Sequence, residues 1–137
     1  MLIAKITLNK KGNNMSLQKI ISAKDVTTGY KLALIFAFLA FIIMSAAIMY
    51  GFVIGDFSGE GGYMLTIPWG QVSLIDVYIG FFFICGWVLY REATFLKALP
   101  WLIMLMIFGN ATAGLYIFLA LLRGNGNWKA FWLGSNA

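Results

Sequence analysis

The sequence predicts an all-α integral membrane protein of three transmembrane helices, with its N-terminus cytoplasmic and its C-terminus across the membrane. Three observations lead there. Of 137 residues, 61% are hydrophobic and 11% charged, against roughly 45–50% and about 25% in soluble domains. The apolar residues are gathered into long uncharged blocks, the pattern a bilayer solvent selects. Lys and Arg are spread unevenly around those blocks, which sets an orientation.

Residues 1–30 form a basic N-terminal segment carrying Lys5, Lys10, Lys11, Lys19 and Lys24 against Asp25 alone. Met15 opens a second plausible start, so residues 1–14 are expected to add nothing to the fold and to be poorly ordered. Residues 31–123 make the three-helix transmembrane domain. Leu32 to Ile54 has no charge and would be about 34 Å long as a helix, enough for a hydrocarbon core of about 30 Å. A cleaved signal peptide would have an apolar region of only about 7–15 residues, so an anchor is expected. Residues 55–71 hold five glycines, Pro68, Asp56 and Glu60 and read as a loop. Val72 to Tyr90 is the second span, interrupted by Asp76, and Arg91, Glu92 and Lys97 mark a polar turn. Leu99 to Leu122 is the third, with Pro100 in its first turn where a missing N–H is harmless. Residues 124–137 are an interfacial tail.

With the N-terminus inside, six lysines, Arg91 and Lys97 fall on the cytoplasmic side, and Arg123 and Lys129 on the other. Histidine is absent and Cys85 is the one cysteine. An intrachain disulfide and a histidine-ligated haem, copper, di-iron or zinc site are excluded, and no metal, cofactor or nucleic-acid partner is expected. The expected partners are the lipid bilayer and either the chain itself or another membrane protein.

In the first span Ala33, Ala37, Ala40, Met44, Ala47 and Gly51 form a heptad seam of mostly small residues. Such a seam lets helix backbones approach, which in lipid is a main source of association. The second span has a seam of Asp76, Gly80, Phe83, Trp87 and Tyr90. In the third, Gly109 with Ala113 and Asn110 with Gly114 are small-x-x-x-small pairs read as helix contacts.

Asp76 is the one acid within a span, and an intramembrane carboxylate costs about 2.5–3.5 kcal/mol at the bilayer centre. It reads either as a functional site or as part of a capping box opened by Ser73 at a helix start. Asn110 lies mid-span and needs a partner on a neighbouring helix. Tyr116, at a depth similar to Asp76 if the two helices are antiparallel, would complete a ligand-binding cluster of Asp76, Asn110 and Tyr116 with Thr112 nearby. The set has one carboxylate and no nucleophile beside a base, so no catalytic residue is assigned. Trp128, Phe131 and Trp132 share a face at the C-terminus and read as interfacial anchors, or with Tyr63 and Trp69 as a cover over a pocket.

The run Asp76-x-Tyr78-x-Gly80-Phe81, then Trp87-Val88-x-Tyr90-Arg91-Glu92, then Trp101, Gly109-Asn110 and Tyr116 resembles a family of small uncharacterised membrane proteins known from bacteria and plants. The resemblance covers about Leu74 to Leu122. It implies a compact helical membrane protein of unassigned activity and carries over no catalytic residue.

The expected function is that of a non-enzymatic membrane protein of a bacterial inner membrane, packing as a homo-oligomer or as an accessory subunit of a larger complex. The alternatives are a small transporter or ligand-binding bundle using Asp76, Asn110 and Tyr116, and a membrane-embedded enzyme acting on a lipid or isoprenoid.

Overall fold

A computed structural model describes the backbone of residues 2–137 and the side chains of residues 27–137. The expectations for the lysines of residues 1–24 and for a second start at Met15 lie outside the described residues. The chain is helical throughout: α1 (Leu2–Ile54), α2 (Phe57–Thr66), α3 (Pro68–Arg91), α4 (Phe95–Phe108), α5 (Asn110–Gly124) and α6 (Trp128–Leu133), followed by a 3-10 turn at Gly134–Asn136. Two stretches, Thr27–Ile54 of α1 and α3, are long and apolar enough to cross a membrane.

The third apolar block does not form one continuous helix. It breaks at Gly109, which adopts φ 54° and ψ −127°, a conformation open essentially to glycine alone. The chain then folds back: Thr112 Oγ1 donates to the Met104 carbonyl at 2.9 Å, and the Trp101 and Tyr116 rings lie 5.1 Å apart. In a straight helix those ring-bearing residues would be about 22 Å apart along the axis. The α4–α5 pair is therefore an antiparallel hairpin, and each arm, about 21–22 Å long, is too short for a hydrocarbon core of about 30 Å. Phe81 of α3 plugs the turn, since a Cβ on Gly109 would come 2.7 Å from its ring. Pro100 sits inside α4 because that helix starts at Phe95, so the Leu96 carbonyl loses its intrahelical donor.

Each arm packs on one long helix. Phe81 and Cys85 of α3 meet Leu105 of α4 and Ala113 of α5, and Val88 meets Ala98 and Tyr116. Helix α5 runs antiparallel to α1: Tyr30 donates to the Leu121 carbonyl, Phe38 packs on Phe118, and Gly114 lies over Phe41. A Cβ on Gly114 would be 2.9 Å from the Phe41 nitrogen, so the two backbones touch where no side chain intervenes. With α1 and α3 running in opposite directions and the hairpin returning, the C-terminal segment lies at the same end of the bundle as Tyr30. This corrects the expected topology, in which the C-terminus lay at the opposite end.

The region read as a loop contains α2. Asp56 caps it, its Oδ1 accepting from the Ser58 and Gly59 nitrogens at 3.2 and 3.1 Å, and Glu60 stands in the first turn where the helix dipole favours it. The glycine count concealed a helix that capping supports.

Candidate functional site

The expected cluster does not form. Asp76 is exposed on the outer face of α3, Asn110 is exposed at the hairpin tip, and Tyr116 is buried near the other end of α3. The capping box also fails. Pro68 occupies the first position of α3, where its fixed φ suits a helix start. Ser73 is then interior and donates to the Trp69 carbonyl at 2.8 Å, and Asp76 lies in the third turn.

Tyr116 belongs to a different constellation, a buried polar knot under the C-terminal segment. Its hydroxyl donates to Glu92 Oε1 at 2.9 Å and accepts from Arg91 Nη1 at 3.4 Å. Arg91, 5% exposed, pairs with Glu92 at 3.5 Å, and its Nε donates to the Phe131 carbonyl at 2.8 Å. Trp87, Trp101 and Phe131 wall the knot with rings at 5.1–5.5 Å spacing. No buried side-chain polar atom lacks a partner among the described residues, which is the condition for a buried charge to be tolerated.

The C-terminal segment acts as a clasp on α3. A helix end leaves its last carbonyls unpaired. Here Ser135 Oγ donates to the Arg91 carbonyl at 2.8 Å and Asn136 Nδ2 to the Tyr90 carbonyl at 2.6 Å. Trp87 Nε1 donates back to the Trp132 carbonyl at 3.1 Å. Gly134, at φ 56°, lies against the Arg91 backbone where a Cβ would clash. Trp128 stacks edge-on against Tyr30, 5.0 Å away. Of the aromatic trio Phe131 is buried and Trp128 half-buried, while Trp132 lies against Trp87 and stays exposed; Tyr63 and Trp69 are not part of that cover. Sequence reasoning misses Arg91 and Glu92 because a charged pair after an apolar block reads as a turn; Trp87 one turn earlier is the signal available.

The packing residues divide. Ala37, Ala113 and Gly114 are buried, and Ala33, Ala40 and Gly109 are half-buried. Ala47, Gly51 and Gly80 are exposed, the last two with open space around them. The row of α1 that meets the hairpin runs through Tyr30, Ala37 and Phe41, then to Ser45 and Ile48, one row beside the expected seam. In α3 the inward row is Phe81, Cys85, Val88 and Arg91, which leaves Asp76, Gly80, Phe83 and Tyr90 outside.

At the opposite end from the clasp is a chamber open to the surface, for Phe52, Phe57, Tyr63 and Ile107 on its walls are all exposed. It is about 790 Å³, between Ile48, Gly51 and Phe52 of α1, α2 from Phe57 to Met64, and Ile107 and Phe108 at the hairpin tip. A smaller cavity of about 270 Å³ shares Ile48 and Phe108 with it and continues along the hairpin past Ser45 and Thr112. Asp56 and Glu60 border the larger one. Among the described residues no group of three or more acids or cysteines could hold a metal ion.

These features define an all-helical bundle with two helices able to cross a membrane and a hairpin packed against both. Residues 17–129 match the family described as "protein of unknown function (DUF1475)", and the chain belongs to that family, in keeping with the uncharacterised family the sequence resembles. No curated protein and no solved structure is similar to it.

Proposed function

We propose that the chain is a non-enzymatic integral membrane protein that assembles, with itself or with another membrane protein, through the outer face of α3. Asp76 carries this reading. It is exposed in the third turn of a 24-residue apolar helix, where a carboxylate facing lipid would cost up to about 2.5–3.5 kcal/mol. One turn further along, a Cβ placed on Gly80 would meet nothing within 4 Å. A second helix lying on this face would find room for close approach and could supply a hydrogen-bond donor to Asp76.

The membrane reading rests on exposure as well as composition. Only 6% of the most apolar stretch of α1 and 17% of that of α3 is buried within the chain, whereas the core helix of a soluble protein would be mostly buried. Two spans and a re-entrant hairpin bring Lys31, Arg91, Lys97, Arg123 and Lys129 to one end. From Leu32 to Tyr90 there is no Lys or Arg. On the positive-inside rule both termini are then cytoplasmic. Cysteines placed at Lys5 and Asn136, with Cys85 replaced, should both resist an impermeant reagent in intact cells; labelling of Asn136→Cys alone would restore the three-span topology.

Assembly is tested with Asp76→Leu and Gly80→Leu in mild detergent. On a helix interface both should dissolve the complex, read as a loss of mass or of a copurifying partner. A complex unchanged in size, with Asp76→Leu more stable than the parent, would mean that the face meets lipid.

A further inference from the structure

We propose that the chamber beneath α2 binds a single-chain amphiphile with a cationic ammonium head, its hydrocarbon chain inside and its head against Asp56 and Glu60. The inference rests on the membrane reading but is independent of assembly through α3.

The volume, about 790 Å³, falls within the roughly 300–1,000 Å³ of small-molecule sites. Its walls are aliphatic and aromatic, and the smaller cavity extends it toward the bundle centre, the shape a hydrocarbon chain fills. The chamber exists because the hairpin turns at Gly109 before reaching the end of α1, which leaves space between α1, α2 and the hairpin tip; at its edge Phe52 stacks on Phe57 of α2, with ring centroids 6.1 Å apart.

The two acids give the site its sign. Asp56 uses Oδ1 for the α2 cap, while its Oδ2 lies over Gly59, where a Cβ would displace it. The Glu60 carboxylate has no hydrogen bond or ion pair among the described residues. Its Oε2 lies over Gly55, 2.9 Å from where a Cβ would stand. Both carboxylates therefore occupy room that glycines leave beside the chamber. No Lys or Arg lies between Leu32 and Tyr90 to neutralise them, so among the described residues an incoming cation has no internal competitor. Tyr63 adds an aromatic face of the kind that attracts quaternary ammonium groups. An anionic amphiphile would meet the same carboxylates as repulsion.

The test reconstitutes the full chain in phosphatidylcholine vesicles with a chain-spin-labelled alkyltrimethylammonium, and reads the motionally restricted fraction by electron paramagnetic resonance. Spin-labelled phosphatidylcholine and a spin-labelled fatty acid serve as comparators. The ammonium label should associate about fivefold more than phosphatidylcholine, the scale of one interfacial charge attraction. The preference should fall to parity in the Asp56→Asn/Glu60→Gln double variant, in which asparagine keeps the cap. It should also fall in Ile107→Trp, which fills the chamber. Parity in the parent chain, preference for the fatty acid, or a preference that survives the double variant overturns the proposal. Failure of the chain to float with the vesicles would remove the membrane reading and the chamber site together, whereas flotation with parity removes the chamber site alone.

Discussion

The two ends of the bundle solve opposite problems. At the clasp end a buried arginine, a glutamate, a tyrosine and two orphan helix carbonyls are all paired, and the rings of Trp87, Trp101 and Phe131 cover the arginine and the tyrosine. At the α2 end two carboxylates stand beside a cavity with no cation near among the described residues. The first end is closed by interactions more than forty residues apart in sequence, such as Ser135 with Arg91. The second end is held by local ones, an Asp56 cap and a turn at Ile67. The difference concentrates the long-range interactions at the clasp and leaves an open cavity at the α2 end, where the proposed ligand would sit.

The strongest way to break that contrast is Arg91→Ala. Removing one partner of a buried pair strands Glu92 and the Phe131 carbonyl, and should cost about 3–5 kcal/mol, seen as a large drop in the detergent-unfolding midpoint. A cost under about 1 kcal/mol would mean that water already reaches the knot. Next comes Gly114→Leu, which forces the Phe41 backbone away and should cost about 1–3 kcal/mol. The same change at Gly51, which meets open space, should stay within about 0.5 kcal/mol, and equal losses at both would contradict the asymmetric packing of α1. Ser135→Ala removes one carbonyl cap and should cost about 0.5–1.5 kcal/mol. It should also speed cleavage of the C-terminal segment by carboxypeptidase, the more specific sign of a loosened clasp. Smallest is Glu60→Gln, expected within about 0.5 kcal/mol; a clear loss of stability there would place Glu60 in the folding core and weaken its assignment to a ligand.

Particular residues show where sequence reasoning stops. The apolar blocks Leu32–Ile54 and Val72–Tyr90 correspond to the two long apolar helices, because absence of charge over more than about 18 residues is a local property. Ala37, Ala113 and Gly114 are readable as close-packing positions, because small side chains matter only where a neighbour comes near. Leu99–Leu122 misleads for the same reason that the first two blocks do not: it has the composition of a span, and nothing local marks Gly109, one of its two glycines, as the point where the chain reverses. Asp76 and Ser73 fit a capping spacing, but Pro68 starts the helix five residues earlier and turns the cap into an outward-facing acid. Tyr116 is legible as a polar group needing a partner, yet a continuous third helix would have carried it to the wrong end of α3.

By itself the sequence determined the helical class, the two long apolar helices, the segregation of positive charge and the exclusion of histidine-based chemistry, since each depends on composition or on spacing within one segment. Only the tertiary structure decided that the third block is a hairpin, that the C-terminal segment returns to the Tyr30 end, and that Arg91, Glu92 and Tyr116 share one buried knot. Those outcomes hang on the backbone of Gly109, held at a positive φ and sealed by the Phe81 ring from another helix, and no local pattern records a contact between residues that far apart.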